Sequence, residues 1–159
     1  MYHIGICDDG KNICAELEEM ILRYASERKI PLEVETWYTG EEVCRYLEEK
    51  CPLDILFLDI ELFTMSGVQV AEFIRSRLED QWMQIIYISG NASHAQKLFK
   101  TQPMDFLVKP ITGEDVRETL DLAVKILGKR RKRFEYRTGK EYHYVPFRDI
   151  LYFGSEGRK

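Results

Sequence analysis

The feature that most constrains the fold is a regular alternation of short apolar runs with helix-like segments. Each run is rich in bulky side chains and is typical of a strand buried on both faces of a sheet. The segments between the runs have apolar residues at helical spacing or begin with a cap such as Thr39, Ser66 or Thr112. Strands are predicted at 3–7, 32–37, 54–60, 84–90 and 105–109, a short helix at 93–100, and the end of the last helix at Gly128. This alternation implies right-handed β-α-β crossovers, so we expect an α/β fold with a five-stranded parallel sheet.

Polar and charged side chains stand at the ends of four of the predicted strands. Ligands bind such sheets at the carboxyl ends of the strands, near the point where the strand order reverses. The residues at these ends are Asp8 and Asp9 after the first strand, Asp59 on the third, Ser89 on the fourth, and Lys109 with Pro110 on the fifth. We therefore expect them along one rim of the sheet.

Three carboxylates on one rim favour a bound cation, because they repel one another and at least one pKa should otherwise be raised. Oxygen ligands completed by water suit Mg²⁺ better than zinc or a calcium cage. With the Lys109 ammonium and the Ser89 hydroxyl nearby, the same site could stabilise a phosphoryl group. Asp59 would then be the nucleophile that forms an acyl phosphate. Taken alone, Asp8 and Asp9 could instead be ordinary helix-capping residues.

Four segments in this order resemble the marks of the receiver domain of two-component response regulators. They are the pair Asp8 and Asp9, FLDIELFTMSG, IIYISG and DFLVKP. The resemblance covers about residues 1–127 and implies a flavodoxin-like, CheY-like (β/α)5 receiver. Two departures keep every required group: Leu62 and Phe63 stand where the family commonly has Met-Pro, and the switch hydroxyl is Ser rather than Thr.

The same resemblance implies a role for each residue of the rim. Asp59 would be the phosphoacceptor, and Lys109 would stabilise the phosphoryl group. The switch residues would be Ser89 and Phe106, the latter through packing because it has no hydroxyl group. Mg²⁺ would be held by Asp8, Asp9, Asp59 and the backbone carbonyl of Glu61, and a cis bond from Lys109 to Pro110 would aim the lysine.

Two other functions remain open from the sequence. Haloacid-dehalogenase-type phosphatases also use a strand-end Asp, a Ser or Thr, a Lys and an acidic pair around magnesium. Their acidic pair comes last in the chain, whereas Asp8 and Asp9 come first here and no cap insertion is present. A receiver that signals through protein contacts alone is the other alternative, and it depends on the nature of the residues after 127.

The residues after 127 predict a partial, β-rich C-terminal extension. Residues 128–133 contain KRRKR, which indicates a basic linker, although these charges would also be favourable near a helix C-terminus. Residues 134–159 contain predicted strands at 134–138, 142–146 and 149–153. This segment, especially RDILYFGSEGRK, resembles the start of a LytTR-type DNA-binding domain. Since so few strands cannot bury a core, we expect this segment to pack on its own receiver or, preferentially, on a neighbouring molecule as a shared sheet.

Composition adds little beyond exclusions. The net charge of −4 gives no general attraction to DNA or anionic membranes, and no stretch is long and apolar enough to span a bilayer. The four cysteines lack C-x-x-C spacing, so neither a zinc site nor a disulfide framework is indicated. A cytoplasmic location is expected.

The resemblance thus implies a response regulator that takes a phosphoryl group from a sensor histidine kinase with Mg²⁺ as cofactor and then controls transcription. It would be a signalling domain rather than a metabolic enzyme, capable only of self-catalysed phosphoryl transfer and slow autodephosphorylation. We expect a homodimer and no membrane partner. DNA would be bound only through a complete effector domain, of which this chain has the beginning.

Overall fold

A computed structural model describes residues 1–49, 53–131, 133–138 and 141–146. The chain divides into two units, Met1–Ala123 and Val124–Lys159. No helix in these described ranges is long and apolar enough to cross a lipid bilayer.

The first unit is built on a parallel sheet of five strands within its described residues. The strand order is β2-β1-β3-β4-β5, and every neighbouring pair is parallel, which confirms the predicted sheet. The strands are β1 (Tyr2–Cys7), β2 (Leu32–Trp37), β3 (Ile55–Asp59), β4 (Gln84–Ser89) and β5 (Asp105–Val108). The order reverses next to β1 and β3, so the ends of these two strands border the crevice in which ligands of such sheets bind.

Helical segments connect the strands. They are α1 (Lys11–Arg28), α2 (Gly40–Glu49), α3 (Gly67–Glu72) with a π-helical continuation (Phe73–Arg77), a 3-10 segment (Ala92–Thr101) and α4 (Gly113–Arg131). The predicted cap of α3 is confirmed: Ser66 Oγ accepts from Gln69 N at 3.2 Å, and Gln69 Oε1 accepts from Ser66 N at 2.9 Å. The short helix predicted at 93–100 is confirmed, and it is of the 3-10 type.

The core explains why the central strands are continuous apolar runs. Every residue of β3 and β4 is buried. Leu56 and Leu58 belong to a cluster that includes Val43 of α2 and Val70 of α3. Since alternate side chains of a strand point to opposite faces, the same strands also need apolar partners on the other face.

Helices α1 and α4 lie side by side. Tyr24 Oη donates to Asp121 Oδ1 at 2.8 Å, and the Arg28 guanidinium donates to Asp121 Oδ2 at 2.7 Å. The pKa of Tyr24 is raised to about 12, by burial first and then by the hydrogen bond to Asp121. These contacts fix the two helices against each other through polar as well as apolar groups.

The second unit contains the end of α4 and an antiparallel hairpin of β6 (Arg133–Thr138) and β7 (Glu141–Pro146). The prediction that Gly128 ends the last helix is wrong, because α4 continues to Arg131. One glycine costs a helix about 1 kcal/mol, which good helix formers such as lysine and arginine on either side can offset. The predicted third strand, 149–153, lies outside the described residues, as does most of the expected LytTR-type segment.

Candidate functional site

Three carboxylates meet at the carboxyl ends of two neighbouring strands, β1 and β3. Asp8 and Asp9 follow β1, and Asp59 is the last residue of β3, which pairs with β1. One carboxylate oxygen from each lies within 4.8 Å of those of the other two. Asp8 and Asp59 are buried, whereas Asp9 is exposed, so the cluster opens to water on one side only.

Backbone groups hold the two buried carboxylates in place. Asp8 Oδ1 accepts from Gly10 N at 2.8 Å, and Asp59 Oδ1 accepts from Glu61 N at 3.1 Å. The loop after β3 returns so closely that a Cβ atom on Gly67 would collide with the Asp59 carbonyl oxygen. A glycine is therefore required where that loop enters α3, which explains the Ser-Gly sequence seen after the acidic strand end.

Lys109 reaches the cluster from the end of β5. Its Nζ lies 2.9 Å from Asp8 Oδ2 and 3.4 Å from Asp59 Oδ2. Its backbone N donates to the Ser89 carbonyl at 2.8 Å, which ties the lysine to the end of β4. The Lys109–Pro110 peptide bond is cis, the isomer that the family resemblance implies. One ammonium group thus contacts two buried carboxylates on different strands.

The charges in the cluster are unbalanced. Burial raises the pKa of Asp59, and the neighbouring charge of Asp8 raises it further, against the opposing effects of the Glu61 amide and Lys109. Burial acts to lower the pKa of Lys109, but its contacts with Asp8 and Asp59 outweigh this and raise it. Lys109 is therefore charged near neutral pH, while the ionised form of Asp59 is held at a cost.

The donor set fits a hard divalent cation. All three ligand candidates are carboxylates, which Mg²⁺ prefers over the nitrogen and sulfur ligands that suit zinc. Asp8 Oδ2 is buried near the Lys109 ammonium, yet among the described residues it accepts no hydrogen bond with a favourable angle. A cation here would relieve the repulsion that raises the pKa of Asp59. Exposed Asp9 leaves a route for the waters that Mg²⁺ retains.

The remaining predicted residues lie one and two strands away. Ser89 ends β4 and is fully buried; its Oγ accepts from Asn91 N at 3.0 Å and lies 3.3 Å from Glu61 Oε1. Phe106, on β5, is partly buried and packs against the core cluster. The structure thus brings Asp8, Asp9, Asp59 and Lys109 together, while Ser89 contacts the Glu61 side chain and Phe106 contacts the core.

The contact between the Glu61 carboxylate and Ser89 was not predicted from the sequence, which pointed only to the backbone carbonyl of Glu61. The available signal was an acidic residue two positions after the strand-end Asp59.

The loop after β3 also has a feature that sequence reasoning missed. Thr64 has a φ of 64°, and its hydroxyl donates to Glu41 Oε1 at 2.7 Å. A β-branched residue in this left-handed region is rare, so the loop is held in one conformation by its contacts.

Comparisons with known proteins agree with this arrangement. The family model described as the response regulator receiver domain matches residues 4–121. The chain is 28% identical over 131 residues to the sensory transduction protein LytT of Oceanobacillus iheyensis, covering 82% of this chain and 51% of that protein. It is 24% identical over 160 residues to the transcriptional regulatory protein NatR of Bacillus subtilis, covering 99% and 66%. The chain thus spans between half and two thirds of the length of these curated relatives.

Solved structures show the same fold. The REC domain of AraT, a response regulator from Geobacillus stearothermophilus, superposes with a TM-score of 0.69 at 24% identity, covering 82% of this chain and 98% of that one. The response regulatory domain of mrkE from Klebsiella pneumoniae superposes with a TM-score of 0.68 at 22% identity, covering 77% and 95%.

Proposed function

Because the chain belongs to the response regulator receiver domain family of two-component systems, we propose that Asp59 accepts a phosphoryl group from a sensor histidine kinase. The observation that carries this proposal is the cluster of Asp8, Asp9, Asp59 and Lys109 at the carboxyl ends of the strands. Receivers are signalling domains rather than metabolic enzymes, so the phosphatase alternative has no support.

In the proposed transfer, a carboxylate oxygen of Asp59 forms a bond to phosphorus while the bond from phosphorus to the donor's nitrogen breaks. Burial and the charge of Asp8 hold the ionised form of Asp59 at a cost, and the transfer adds the negative charge of the phosphoryl group to the same cluster, so a cationic partner is needed there. Lys109, already 3.4 Å from Asp59 Oδ2, is placed to stabilise the negative charge of the phosphoryl oxygens. Slow autodephosphorylation is part of the proposal, since Asp59 is buried and water would reach it only from the side of exposed Asp9.

Receiver domains generally bind Mg²⁺ at an acidic pocket, and the all-carboxylate set of this chain fits that ion. We assign Asp8, Asp9 and Asp59 as its side-chain ligands, with the backbone carbonyl of Glu61 as a further ligand. When bound, the ion would neutralise charge on the phosphoryl oxygens. Lys109, whose Nζ lies 3.4 Å from Asp59 Oδ2, would contact the phosphoryl group as a second cation.

The switch would begin at Ser89 and Phe106. Ser89 is buried at the end of β4, the strand that pairs with β3, and its hydroxyl would donate to a phosphoryl oxygen on Asp59. Phe106 lies on β5 opposite Tyr87 of β4, so a movement at the end of β4 would change its packing. The signal would pass through packing because Phe106 has no hydrogen-bonding group.

The proposed output is transcriptional. Relatives are named transcriptional regulatory proteins, which supports an effector that binds DNA. We propose that residues 1–127 form the receiver, 128–133 a basic linker whose first part is helical, and 134–159 the start of a LytTR-type DNA-binding domain. The whole protein would act as a cytoplasmic homodimer, and promoter DNA would be bound only through the complete effector domain.

Intact-mass spectrometry after incubation with Mg²⁺ and acetyl phosphate tests the proposal. We expect one added phosphoryl group in the wild type and none in D59N. D54N is a matched control, because Asp54 precedes the same strand at its opposite end and accepts from His3 N at 2.9 Å. Full labelling of D59N, or loss of labelling in D54N as well, would contradict the assignment of Asp59.

A further inference from the structure

The side chain of Glu61 contacts the hydroxyl group that the proposed function assigns to the switch. Glu61 Oε1 lies 3.3 Å from Ser89 Oγ, and Ser89 is fully buried whereas Glu61 is exposed. The backbone N of Glu61 also donates to Asp59 Oδ1 at 3.1 Å. One residue thus contacts both the expected phosphoacceptor and the expected switch hydroxyl.

The hydrogen-bonding capacity of Ser89 limits the number of acceptors it can contact at one time. A serine hydroxyl has one proton to donate. Ser89 Oγ accepts from Asn91 N at 3.0 Å, and its own proton is shared between Glu61 Oε1 and the Asn91 carbonyl oxygen at 3.2 Å. A phosphoryl oxygen on Asp59 could receive that proton only if both present acceptors lost it.

We propose that the Glu61 carboxylate is a built-in competitor for the Ser89 hydroxyl, holding it in its resting arrangement until a phosphoryl group on Asp59 displaces it. A carboxylate resembles a phosphoryl group in presenting anionic oxygen acceptors, so it can occupy the same donor. The inference rests on the proposed function, because it assumes that Asp59 is the phosphoacceptor. It assigns Glu61 a positioning role, acting through Ser89.

The geometry indicates modest competition. The separation of 3.3 Å is long for an O–H···O hydrogen bond, whose usual length is about 2.7 to 2.8 Å. An exposed carboxylate also regains hydration when it turns outward, so displacing Glu61 from Ser89 costs little free energy. Glu61 would therefore weaken the binding of a phosphoryl group to the Ser89 hydroxyl without preventing it. This role of the side chain is independent of the proposed metal ligation, which uses the backbone carbonyl of Glu61.

Beryllofluoride, a stable mimic of the phosphoryl group, allows the competition to be measured in the full chain at saturating Mg²⁺. The design is a double-mutant cycle of wild type, E61A, S89A and E61A/S89A, with affinities from isothermal titration calorimetry. We expect E61A to tighten beryllofluoride binding by roughly two- to tenfold, the range that a weak hydrogen bond corresponds to. The tightening should be at least twofold smaller in the S89A background, since no hydroxyl remains to compete for. Equal tightening in both backgrounds, or none in E61A, would overturn the inference.

A matched control removes a different carboxylate from the same end of the sheet. Glu41 contacts Thr64 of the loop after β3. Any effect of E41A on affinity should be the same in the wild-type and S89A backgrounds, because it acts through charge alone. If E41A showed the same dependence on the Ser89 hydroxyl as E61A, competition at that hydroxyl would not be the cause.

The S89T background serves as an alternative if the S89A variant does not fold. S89T keeps the hydroxyl, so the tightening caused by E61A should persist in it, and its loss would contradict competition at the hydroxyl. Measurements on the wild-type chain distinguish a failure of the proposed function from a failure of the inference about Glu61. If it binds no beryllofluoride and takes no label, the proposed function fails and the inference with it. If it binds but E61A changes nothing, only the inference fails.

Discussion

The Lys109 ammonium lies closer to Asp8, at 2.9 Å, than to Asp59, at 3.4 Å. Asp8 is fully buried, so in the absence of a metal this contact compensates a charge that water does not reach. We therefore propose two roles for the lysine: it stabilises the acidic cluster before a ligand binds, and it would stabilise a phosphoryl group on Asp59 afterwards.

Replacing Lys109 with Gln should destabilise the protein and reduce labelling of Asp59. Removing one partner of a buried ion pair leaves the other uncompensated, and we expect a loss of roughly 1–3 kcal/mol in the free energy of unfolding without Mg²⁺. Urea denaturation with and without Mg²⁺ measures it, and the ion should recover part of the loss. K100Q is the control, since Lys100 is exposed. Equal stability of K109Q and wild type without Mg²⁺ would contradict the pairing.

D59N should be more stable than the wild type at neutral pH without Mg²⁺. The pKa of Asp59 is raised in the folded state, so the folded protein holds this proton more tightly than the unfolded chain, and stability falls as the pH rises above about 3.8. Each unit of difference between the pKa of Asp59 in the folded and in the unfolded state corresponds to about 1.4 kcal/mol in the free energy of unfolding. The advantage of D59N should appear above the raised pKa and vanish below about 3.8.

Urea denaturation across this pH range, with chelator present, gives the comparison. Adding Mg²⁺ should reduce the advantage of D59N, because the cation stabilises the wild-type carboxylate. A D59N variant that is less stable than the wild type at neutral pH would show that burial and Asp8 do not penalise the charge of Asp59.

Tyr87 and Thr101 should be energetically coupled. Their side-chain oxygens are 2.6 Å apart, and Thr101 Oγ1 also donates to the Leu98 carbonyl at 2.7 Å, which leaves the tyrosine as the donor between them. Y87F should cost about 0.5–1.5 kcal/mol, whereas T101V should cost about 1–3 kcal/mol because it leaves the buried tyrosine hydroxyl without its acceptor. Denaturation of both single variants and the double variant checks this, and additive losses would contradict the coupling.

Arg75 should matter far more to stability than Arg77 on the same helical segment. Its buried guanidinium donates to four carbonyl oxygens, those of Asp80, Met83, Thr101 and Gln102. Lysine cannot reproduce this planar fork, so we expect R75K to cost about 2–4 kcal/mol. R77K is the matched control, because Arg77 is exposed and its ion pair with Glu48 spans 3.4 Å; it should change stability by less than about 0.5 kcal/mol. Similar losses in thermal or urea unfolding for both variants would refute the role of Arg75.

The sheet was predictable because its determinants are local. The run from Ile55 to Leu58 is apolar at every position because β3 is buried on both faces, and Asp59 could be placed at its end from sequence alone. The cap formed by Ser66 and Gln69 was predictable for the same reason, since both partners lie within one helical turn.

The features that sequence reasoning missed depend on distant contacts. The short helix predicted at 93–100 is present, but its 3-10 geometry was not predicted; the segment ends at Thr101, which Arg75 and Tyr87 contact from other elements. The bond between Glu61 and Ser89 joins residues 28 positions apart that only the pairing of β3 with β4 brings together. The propensity of Gly128 alone predicts a helix end, while its neighbours keep α4 helical.

The most direct test of phosphorylation at Asp59 is to map the position of the acyl phosphate. The chain is incubated with acetyl phosphate and Mg²⁺ and then reduced with borohydride, which converts an aspartyl phosphate into homoserine, and the modified peptide is sequenced by tandem mass spectrometry. We predict homoserine at position 59, with labelling lost when Mg²⁺ is chelated. Modification at another carboxylate such as Asp8 or Asp9, or equal labelling without the metal, would contradict it.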